Sequence, residues 1–329
     1  MPYSDNSGAP LRLGVLGCAD VALRRVLPAV RRTEAVRLTA IASRSPERAA
    51  AATARFGGRP VTGYAELLRQ PDVDAVYVPL PSGLHARWIW QALSHGKHVL
   101  AEKPLTTSAA ETRELLEVAR RGDLVLRENY MFPQHAQHAF VRTLLADGTI
   151  GELRTLSSTF TVPPRPAGDF RHRTELGGGS LLDNGGYPVH VARLFLGDDL
   201  EVAGAVLRRP QGCEVDVAGS ALLCRPADGA TAQAVFGMDH FYRADYHLLG
   251  SAGSIEVPHA FAPTEHHAAV VRVRRHGHAE EFTLPPDDQY AKSLARFAAA
   301  VARGGSGADD AGTAAQAALV DEVRRCALR

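Results

Sequence analysis

Two short motifs, far apart in the chain, carry side chains that could protonate a carbonyl oxygen. Lys103 stands in the run Glu102-Lys103-Pro104 and is one of only three lysines in the chain. Asp183 and Tyr187 lie four residues apart, and His190 follows three residues later. Hydride transfer to a ketone leaves negative charge on oxygen, so that reaction needs a proton donor and a positive group beside the oxygen. Tyr187 and Lys103 could supply them.

We assign Tyr187 as the general acid, Lys103 as its electrostatic partner and ligand of the substrate oxygen, and Asp183 as the residue that orients Lys103 or a substrate hydroxyl. A free phenol has a pKa near 10, about three units above neutrality, and a nearby ammonium lowers it. We therefore expect Lys103 to lower the pKa of Tyr187. On the residues alone an alternative stays open, in which Asp183 caps a helix and Tyr187 fills a core.

Alternating strands and helices in the first third of the chain would place Lys103 at the end of a strand. The predicted strands are 11–17, 36–42, 74–78 and 97–102, and the predicted helices are 21–32, 46–56, 84–95 and 108–121. This alternation predicts a parallel sheet with helices on both faces. Pro104 disfavours a helical conformation at Lys103, so the lysine should leave an extended strand end, where such sheets bind ligands.

The pattern changes after about residue 152 to longer extended stretches. These are 154–162, 201–207, 217–224, 232–238, 245–250 and 270–275, and they predict a mostly antiparallel sheet. A predicted helix over 179–196 would carry Asp183, Tyr187 and His190 on one face. Helices over 287–303 and 312–329 are predicted to close the chain, with a surface loop at Gly304 to Gly307 between them.

The first strand runs into a loop that could bind a phosphate. In a G-x-G-x-x-G loop, glycine allows the backbone to approach a pyrophosphate, and the following helix supplies N–H donors. Here the run is Gly17-Cys18-Ala19-Asp20-Val21-Ala22, with alanine at the second and third glycine positions. We predict that Gly17, Cys18, Ala19 and Asp20 contact a dinucleotide. An ordinary strand-to-helix turn remains the alternative.

The end of the second predicted strand indicates which dinucleotide would bind. A carboxylate there would hold the ribose 2′-hydroxyl of NAD, but the chain has Ser43-Arg44-Ser45. A guanidinium and two hydroxyls suit a 2′-phosphate, so we predict NADP(H) as the cofactor. The chain is rich in arginine, and a chance occurrence of Arg44 is the alternative.

Composition excludes several classes of protein. The chain has 329 residues, 45% hydrophobic and 22% charged, which is ordinary for a globular protein of about two domains. The formal net charge of +1 predicts no nucleic-acid partner, and no apolar run is long enough to predict a membrane span. Four cysteines without a CxxC pair predict neither a disulfide framework nor a zinc site, which favours a cytoplasmic location. We predict no metal.

Three motifs, in their order and spacing, resemble those of the Gfo/Idh/MocA oxidoreductases: Gly14-Val15-Leu16-Gly17-Cys18-Ala19, Gly96-Lys97-His98-Val99-Leu100-Ala101-Glu102-Lys103-Pro104 and Gly177-Gly178-Gly179-Ser180-Leu181-Leu182-Asp183. Members of this family join a Rossmann domain to a C-terminal α/β domain with an open sheet. The resemblance implies an NADP-binding domain over 1–127 and a substrate-binding and oligomerisation domain over 128–329. It also implies a homo-oligomer, either a dimer or a tetramer.

Three further runs resemble the nucleotide-sugar 3-ketoreductases of deoxysugar biosynthesis in bacterial antibiotic production: residues 128–138, Asp169-Phe170-Arg171 and Asp183-Asn184-Gly185-Gly186-Tyr187-Pro188. That resemblance implies NADPH-dependent reduction of the 3-keto group of a dTDP-linked 3,4-diketo-2,6-dideoxyhexose. Many relatives have histidine as the acid, whereas this chain has tyrosine, as the sugar ketoreductases do.

Further site residues follow from strand ends and from the resemblance. We predict cofactor contacts from Pro79, Leu80, Ser82, His85, Glu102 and Lys103. We predict substrate contacts from Lys103, Tyr130, Phe132, Arg165, Arg171, Asp183, Tyr187 and His190. Arg165 and Arg171 could clamp a diphosphate, because planar guanidinium groups suit phosphate oxygens.

Two other functions remain open from the sequence. One is an NAD(P)-dependent dehydrogenase of a free sugar or cyclitol, against which Arg44 and Tyr187 argue. The other is a catalytically silent NADP-binding sensor, against which the presence of both Lys103 and Tyr187 argues.

Overall fold

A computed structural model of the protein describes residues 9–304 and 310–327. Within them, the first sheet consists of β1 (Leu11–Leu16), β2 (Val36–Ser43), β3 (Arg59–Thr62), β4 (Ala75–Val78), β5 (His98–Ala101) and β6 (Leu126–Glu128). These six strands are all parallel and lie in the order β3-β2-β1-β4-β5-β6. β4 is buried at every position, as expected for a central strand covered by helices on both faces.

Short helices connect the strands of this sheet. They are α1 (Leu27–Val30), which continues a π-helical turn (Ala22–Val26), α2 (Pro46–Phe56), α3 (Tyr64–Leu68), α4 (His85–Ser94) and α5 (Ala109–Arg121). Serine caps two of them, because the Ser45 hydroxyl accepts a hydrogen bond from the Arg48 amide and the Ser108 hydroxyl accepts one from the Glu111 amide, both at 3.2 Å. The caps fix where α2 and α5 begin.

The second sheet, in the same described ranges, has eight strands. They are β7 (Leu153–Thr161), β8 (Glu201–Arg208), β9 (Ala218–Cys224), β10 (Thr231–Gly237), β11 (Arg243–Gly250), β12 (Gly253–Val257), β13 (Val270–Arg275) and β14 (His278–Thr283). Their order is β14-β13-β12-β11-β7-β10-β9-β8, and neighbours are antiparallel except β7 and β10.

One face of the second sheet is covered by helices, and the other is open. The covering elements are α6 (Ala136–Ala146), a π-helical turn (Leu181–Gly185) that leads into α7 (Gly186–Leu196), and α9 (Asp310–Ala327). The helix α8 (Gln289–Ala302), which precedes α9, packs on the first sheet instead. There Leu294 and Phe297 share an apolar core with Leu13. α8 thus follows the second sheet in sequence but packs on the first, and the division at residue 127 stays a prediction.

The predicted fold class is confirmed: a Rossmann-type parallel sheet is followed by a large, mostly antiparallel sheet. The sequence patterns missed six short elements, namely β3, α3, β6, α6, β12 and β14. The helix predicted from residue 179 begins at Leu181, and it begins as a π-helical turn. Of the predicted loop at 304–307, only Gly304 lies within the described residues. Across residues 9–304 and 310–327, no helix has the length and apolar composition needed to cross a membrane.

A close backbone contact joins the two halves of the chain. The turn Ser82–Leu84, after β4, packs against residues 174–177, and the Ser82 hydroxyl donates a hydrogen bond to the Gly177 carbonyl at 2.9 Å. A Cβ atom on Gly83 would lie 2.6 Å from the Glu175 carbonyl oxygen and 2.8 Å from the Gly177 nitrogen. Glycine at position 83 therefore permits this approach.

We expect Gly83→Ala to destabilise the protein, because the new methyl group meets backbone atoms that cannot rotate away. Overpacking of this kind costs about 1–3 kcal/mol, which corresponds to a fall in melting temperature of several degrees. Gly204→Ala is the matched control, since a Cβ there meets nothing within 4 Å. Thermal unfolding followed by circular dichroism measures both, and equal melting temperatures would contradict the importance of the contact.

Candidate active site

A cavity of about 1040 Å³ lies between the two sheets. Its walls come from the loops after β1, β2, β4 and β5 on one side, and from the end of β7, residues 165–177 and the start of α7 on the other. The loops of a parallel sheet meet at the carboxyl ends of its strands, which is where α/β folds bind ligands. Fourteen predicted site residues line it: Gly17, Cys18, Ala19, Asp20, Arg44, Pro79, Leu80, Ser82, Glu102, Lys103, Arg165, Arg171, Asp183 and Tyr187.

The loop after β1 forms one end of the cavity. Gly17 has φ +116°, a conformation that favours glycine, and a Cβ there would lie 3.0 Å from a methyl carbon of the Leu80 side chain. The chain turns helical immediately afterwards, at Asp20, and the first amide groups of a helix have no carbonyl partner within it. This geometry suits a pyrophosphate, as predicted for Gly17 to Asp20.

Arginines surround that end of the cavity: Arg24, Arg25, Arg44, Arg48 and Arg55. Arg48 donates a hydrogen bond to the Cys18 carbonyl at 2.8 Å and so ties α2 to the loop after β1. Arg24 pairs with Asp20. Arg44 is exposed at the end of β2 and makes no ion pair with the rest of the described chain. Only Arg44 of these five was predicted from the sequence.

Ser43 and Ser45 do not line the cavity, although both were predicted to contact the cofactor. Ser43 is buried, and its hydroxyl accepts a hydrogen bond from the Ser45 amide at 3.1 Å. The Ser45 hydroxyl caps α2 and donates to Glu47 at 2.6 Å. Both hydroxyls are therefore engaged in shaping the turn that presents Arg44.

His85 was also predicted as a cofactor contact, but it is buried behind the cavity wall. Its ring nitrogens lie 2.7 Å from the Leu80 carbonyl and 2.9 Å from the Pro104 carbonyl. Burial lowers the pKa of His85. Leu80 follows β4 and Pro104 follows β5, so the His85 ring lies between the two loops.

Glu102 lines the cavity and directly precedes Lys103 in the chain. Its carboxylate accepts hydrogen bonds from the Tyr77 hydroxyl at 2.8 Å and from the Asn129 side-chain amide at 2.7 Å. Burial raises the pKa of Glu102 against the opposing effect of these two donors. The network anchors the backbone from which Lys103 projects.

Lys103 and Asp183 meet across the two sheets. The Lys103 ammonium donates to an Asp183 carboxylate oxygen at 3.0 Å and to the Asp183 carbonyl at 2.7 Å. The other carboxylate oxygen accepts from Arg171 Nε at 2.6 Å. Burial disfavours ionisation of Asp183, but the two cations outweigh it, and the pKa of Asp183 lies well below its usual range. The structure thus brings together the predicted Lys103 and Asp183.

Tyr187 lies beside this pair, with the Lys103 nitrogen 5.2 Å from the centre of its ring. Burial raises the pKa of the Tyr187 hydroxyl well above 10, and the negative charge of Glu102 adds to the effect. The expectation that Lys103 lowers this pKa was wrong. Lys103 is already paired with Asp183, so burial dominates the environment of the phenol.

Three predicted substrate contacts, Tyr130, Phe132 and His190, lie behind Tyr187 and do not line the cavity. The Tyr130 and Phe132 rings are 5.2 Å and 5.8 Å from the Tyr187 ring. His190 packs on both, with centroid distances of 4.7 Å and 5.1 Å. These rings support the orientation of Tyr187 from the side away from the cavity.

Asp183 lies in the π-helical turn Leu181–Gly185, and Tyr187 lies at the start of α7, which continues it. Such turns interrupt the regular helical spacing and are frequent at functional sites. Gly186 follows the turn, and a Cβ there would lie 2.0 Å from the Tyr130 hydroxyl. Glycine at this position lets Tyr130 pack beneath Tyr187.

Several lining residues were missed by the sequence analysis: Val21, Arg24, Arg25, Arg48, Arg55, Tyr64, Pro81, Pro104, Met131, Phe160, Val162, Asp169, Phe170, Gly177, Asn184 and Tyr290. For Arg48 a signal existed, since it follows the Ser-Pro-Glu cap at the start of α2. Tyr290 comes from α8, and nothing in the sequence shows that α8 returns to the first sheet. No cluster of three or more His, Cys, Asp or Glu suited to a metal ion occurs in the ranges the structure covers.

The parallel sheet with its glycine turn, the open second sheet and the lysine–aspartate–tyrosine group between them define a two-domain dinucleotide-dependent oxidoreductase. Residues 11–130 match the oxidoreductase family with an NAD-binding Rossmann fold, GFO/IDH/MocA, and residues 138–256 match the GFO/IDH/MocA C-terminal domain. The chain belongs to the GFO/IDH/MocA oxidoreductase family, and the resemblance seen in its motifs is confirmed.

Relatives with assigned reactions align over nearly the whole chain. It is 50% identical to the dTDP-3,4-didehydro-2,6-dideoxy-alpha-D-glucose 3-reductase of Actinomadura kijaniata, over 96% of this chain and 95% of that protein. It is 51% identical to the reductase of the same name from Streptomyces violaceoruber, over 96% and 95%. A crystal structure of the 3-ketoreductase from Actinomadura kijaniata with NADP and TDP-benzene superposes with a TM-score of 0.94, at 50% identity and with 96% and 98% coverage.

Glu128, at the end of β6, holds the chain just after Lys103, because its carboxylate accepts a hydrogen bond from the Leu105 amide at 2.8 Å. Burial raises the pKa of Glu128 to about 7, against the effects of the Leu105 amide and of Arg193. A raised pKa means that the native state retains a proton that the unfolded chain loses above pH about 4.5.

We expect the stability contribution of Glu128 to be full below pH about 4.5 and to be lost as the pH rises through about 7. Glu128→Gln keeps an acceptor for Leu105 but cannot ionise, so its melting temperature relative to the unmodified protein should rise by several degrees between pH ~5 and pH ~8. Glu114→Gln, an exposed change on α5, is the control. A difference that does not vary with pH would refute this assignment.

Proposed function

We propose that this protein uses NADPH to reduce the 3-keto group of a dTDP-linked 3,4-diketo-2,6-dideoxyhexose, a step of deoxysugar biosynthesis. The observation that carries the proposal is a single cavity that has a dinucleotide-binding turn at one end and Lys103, Asp183 and Tyr187 at the other. The names of relatives that are about half identical over 96% of the chain support the same reaction. NADP and TDP-benzene in a related crystal structure support the two ligands.

The cofactor end fits NADP(H) on its own geometry. The turn at Gly17 lines the cavity next to the start of a helix, a place that suits a pyrophosphate, and Arg44 offers a guanidinium to a 2′-phosphate. We assign Cys18, Ala19 and Asp20 to the same phosphate contact. Pro79, Leu80 and Ser82 would line the nicotinamide side. When bound, the cofactor supplies the hydride for the ketone.

The residues at the other end divide the remaining work. Lys103 holds positive charge where the ketone oxygen becomes negative, and Asp183 fixes the ammonium by accepting its hydrogen bond at 3.0 Å. Tyr187 gives its proton to that oxygen. Because its pKa is raised, the phenol stays protonated at neutral pH and is ready to act as a donor.

The diphosphate of the substrate would lie against the loop after β7. Arg165 is exposed there and lines the cavity, and a planar guanidinium suits a diphosphate. We assign Tyr130, Phe132 and His190 to the support of Tyr187, since the structure places them behind it.

The open face of the second sheet supports a homo-oligomer, as predicted. Val206, Leu222, Val235 and Leu249 lie on this face by strand register and are 66%, 40%, 38% and 48% exposed. A second copy of the chain would cover these side chains. The cytoplasmic location stays a prediction based on cysteine usage.

Arg44→Asp should weaken NADP binding far more than NAD binding, because a carboxylate repels the 2′-phosphate and can accept a hydrogen bond from the 2′-hydroxyl of NAD. Loss of a charge-assisted pair corresponds to about tenfold or more in the dissociation constant. Fluorescence titration with NADPH and NADH measures the two affinities, and Arg113→Asp, an exposed change on α5, is the control. An unchanged cofactor preference would count against the role of Arg44.

Lys103→Ala and Tyr187→Phe should each lower turnover of the keto sugar by about two to four powers of ten, the range for one acid–base group. NADPH binding should remain within about threefold, since neither side chain lies at the phosphate end of the cavity. Absorbance of the reduced nicotinamide follows turnover, and titration follows binding. A parallel loss of NADPH affinity in both variants would show that these residues bind the cofactor instead.

Two outcomes with the unmodified protein would favour the other functions. Oxidation of free inositol or glucose with NAD would support a dehydrogenase. Tight NADPH binding without turnover of any keto sugar would support a sensor.

A further inference from the structure

Two arginines on the segment between β7 and α7 line the cavity, but their surroundings differ. Arg165 is exposed and makes no ion pair with the described residues. The Arg171 side chain is 24% exposed, and two of its nitrogens donate hydrogen bonds to carboxylates. Arg171 Nε donates to Asp183 at 2.6 Å, and Arg171 Nη1 donates to Asp169 at 3.2 Å. Arg171 is therefore already committed to protein partners.

The charges around Asp183 balance. Lys103 and Arg171 contribute two positive charges, and Asp169 and Asp183 contribute two negative charges. Each oxygen of the Asp183 carboxylate accepts from one cation, Lys103 at 3.0 Å and Arg171 at 2.6 Å. The shorter contact is the one to Arg171, so Lys103 shares its carboxylate with a competing donor.

The Arg171 backbone takes part in the same arrangement. The Asp169 carboxylate accepts from the Arg171 amide at 2.9 Å, which closes a short turn around Phe170. The Arg171 guanidinium stacks on the Phe170 ring at 4.5 Å. These contacts fix the direction of the guanidinium before any ligand is present.

We propose that Arg171 is a positioning residue for Lys103, acting through Asp183, and that it is not a ligand of the substrate diphosphate. This inference rests on the proposed function and revises the sequence-based assignment of Arg171. By holding one carboxylate oxygen of Asp183, Arg171 leaves only the other carboxylate oxygen to Lys103. The Asp183 carbonyl accepts a second ammonium hydrogen, and the third is free to face the ketone oxygen. Without Arg171, Lys103 can bind both carboxylate oxygens of Asp183. The ammonium then points away from the substrate, and the carboxylate neutralises its charge.

Three arginine positions on one segment allow a crossed test with two readouts. Arg171→Gln and Arg165→Gln remove the two cavity arginines in turn. Arg173→Gln is the matched control, since Arg173 lies two residues away, pairs with the neighbouring Glu175 and does not line the cavity. The first readout is the affinity for thymidine diphosphate, measured by calorimetry. The second is kcat and KM for the keto sugar with saturating NADPH.

Arg171→Gln should lower kcat by about ten- to a hundredfold while the affinity for thymidine diphosphate stays within about twofold. Arg165→Gln should weaken thymidine diphosphate by about tenfold or more, as expected for loss of one charge-assisted contact. Arg173→Gln should change neither. Arg171→Lys should recover part of kcat, because an ammonium can reach Asp183 but cannot also serve Asp169 in the fork geometry of a guanidinium.

An Arg171→Gln variant that loses diphosphate affinity as strongly as Arg165→Gln would overturn the proposal and make Arg171 a ligand. So would an unchanged kcat in Arg171→Gln. Failure of the unmodified protein to reduce the keto sugar would instead refute the proposed function. In that case the thymidine diphosphate titrations still decide whether Arg171 binds a diphosphate.

Discussion

The ionised carboxylate of Asp183 is the constraint on which the rest of the site depends. A buried charge is costly unless cations and hydrogen bonds replace the lost water, and removing one partner of such a pair is strongly destabilising. Asp183 is satisfied only when Lys103 arrives from the first sheet and Arg171 arrives from the segment after β7. The two contacts together favour one relative placement of the two sheets. The same placement brings Tyr187 beside Lys103 and closes the cavity between them.

That placement is possible because glycine stands where the turn after β4 and the segment before α7 meet closely. Gly177 has φ +74°, and a Cβ on it would lie 2.3 Å from the Ser82 hydroxyl oxygen and 2.6 Å from the Gly83 nitrogen. Gly186 accommodates Tyr130 in the same way. The triple-glycine segment is thus a packing requirement between the sheets, in addition to being a family motif. Because Gly177 lies so close to Ser82 and Gly83, the loop after β4 and the loop before α7 together form one wall of the cavity.

The sequence was sufficient for features that follow from local rules. Strand ends in a parallel sheet share one edge, so Gly17, Arg44 and Lys103 could be placed together before the structure was known. It was insufficient where a side chain has two possible roles. Ser45 has the spacing of a helix cap as well as a place at a strand end, and the cap is what the structure shows.

The sequence also did not show which side chains face the cavity and which pack behind it. The prediction that Asp183, Tyr187 and His190 share one face assumes regular helical spacing, but the π-helical turn over Leu181–Gly185 interrupts that spacing. Asp183 and Tyr187 nevertheless both line the cavity. His190 lies three residues beyond Tyr187 in the regular helix α7, about 60° around the helix axis, and packs behind Tyr187. Contributions from distant segments, such as Tyr290 on α8, depend on tertiary contacts that no local pattern encodes.

In the proposed reaction the positive charge and the proton come from different residues, and the same electrostatics account for that division. Lys103 is paired with a carboxylate, and that pairing keeps the ammonium in place. Tyr187 is buried beside Glu102, which favours the neutral phenol. A neutral acid next to a fixed cation has little tendency to ionise until a stronger base appears. Hydride addition to a ketone creates such a base, an alkoxide. In the proposed reaction the cation stabilises this new charge and the phenol neutralises it.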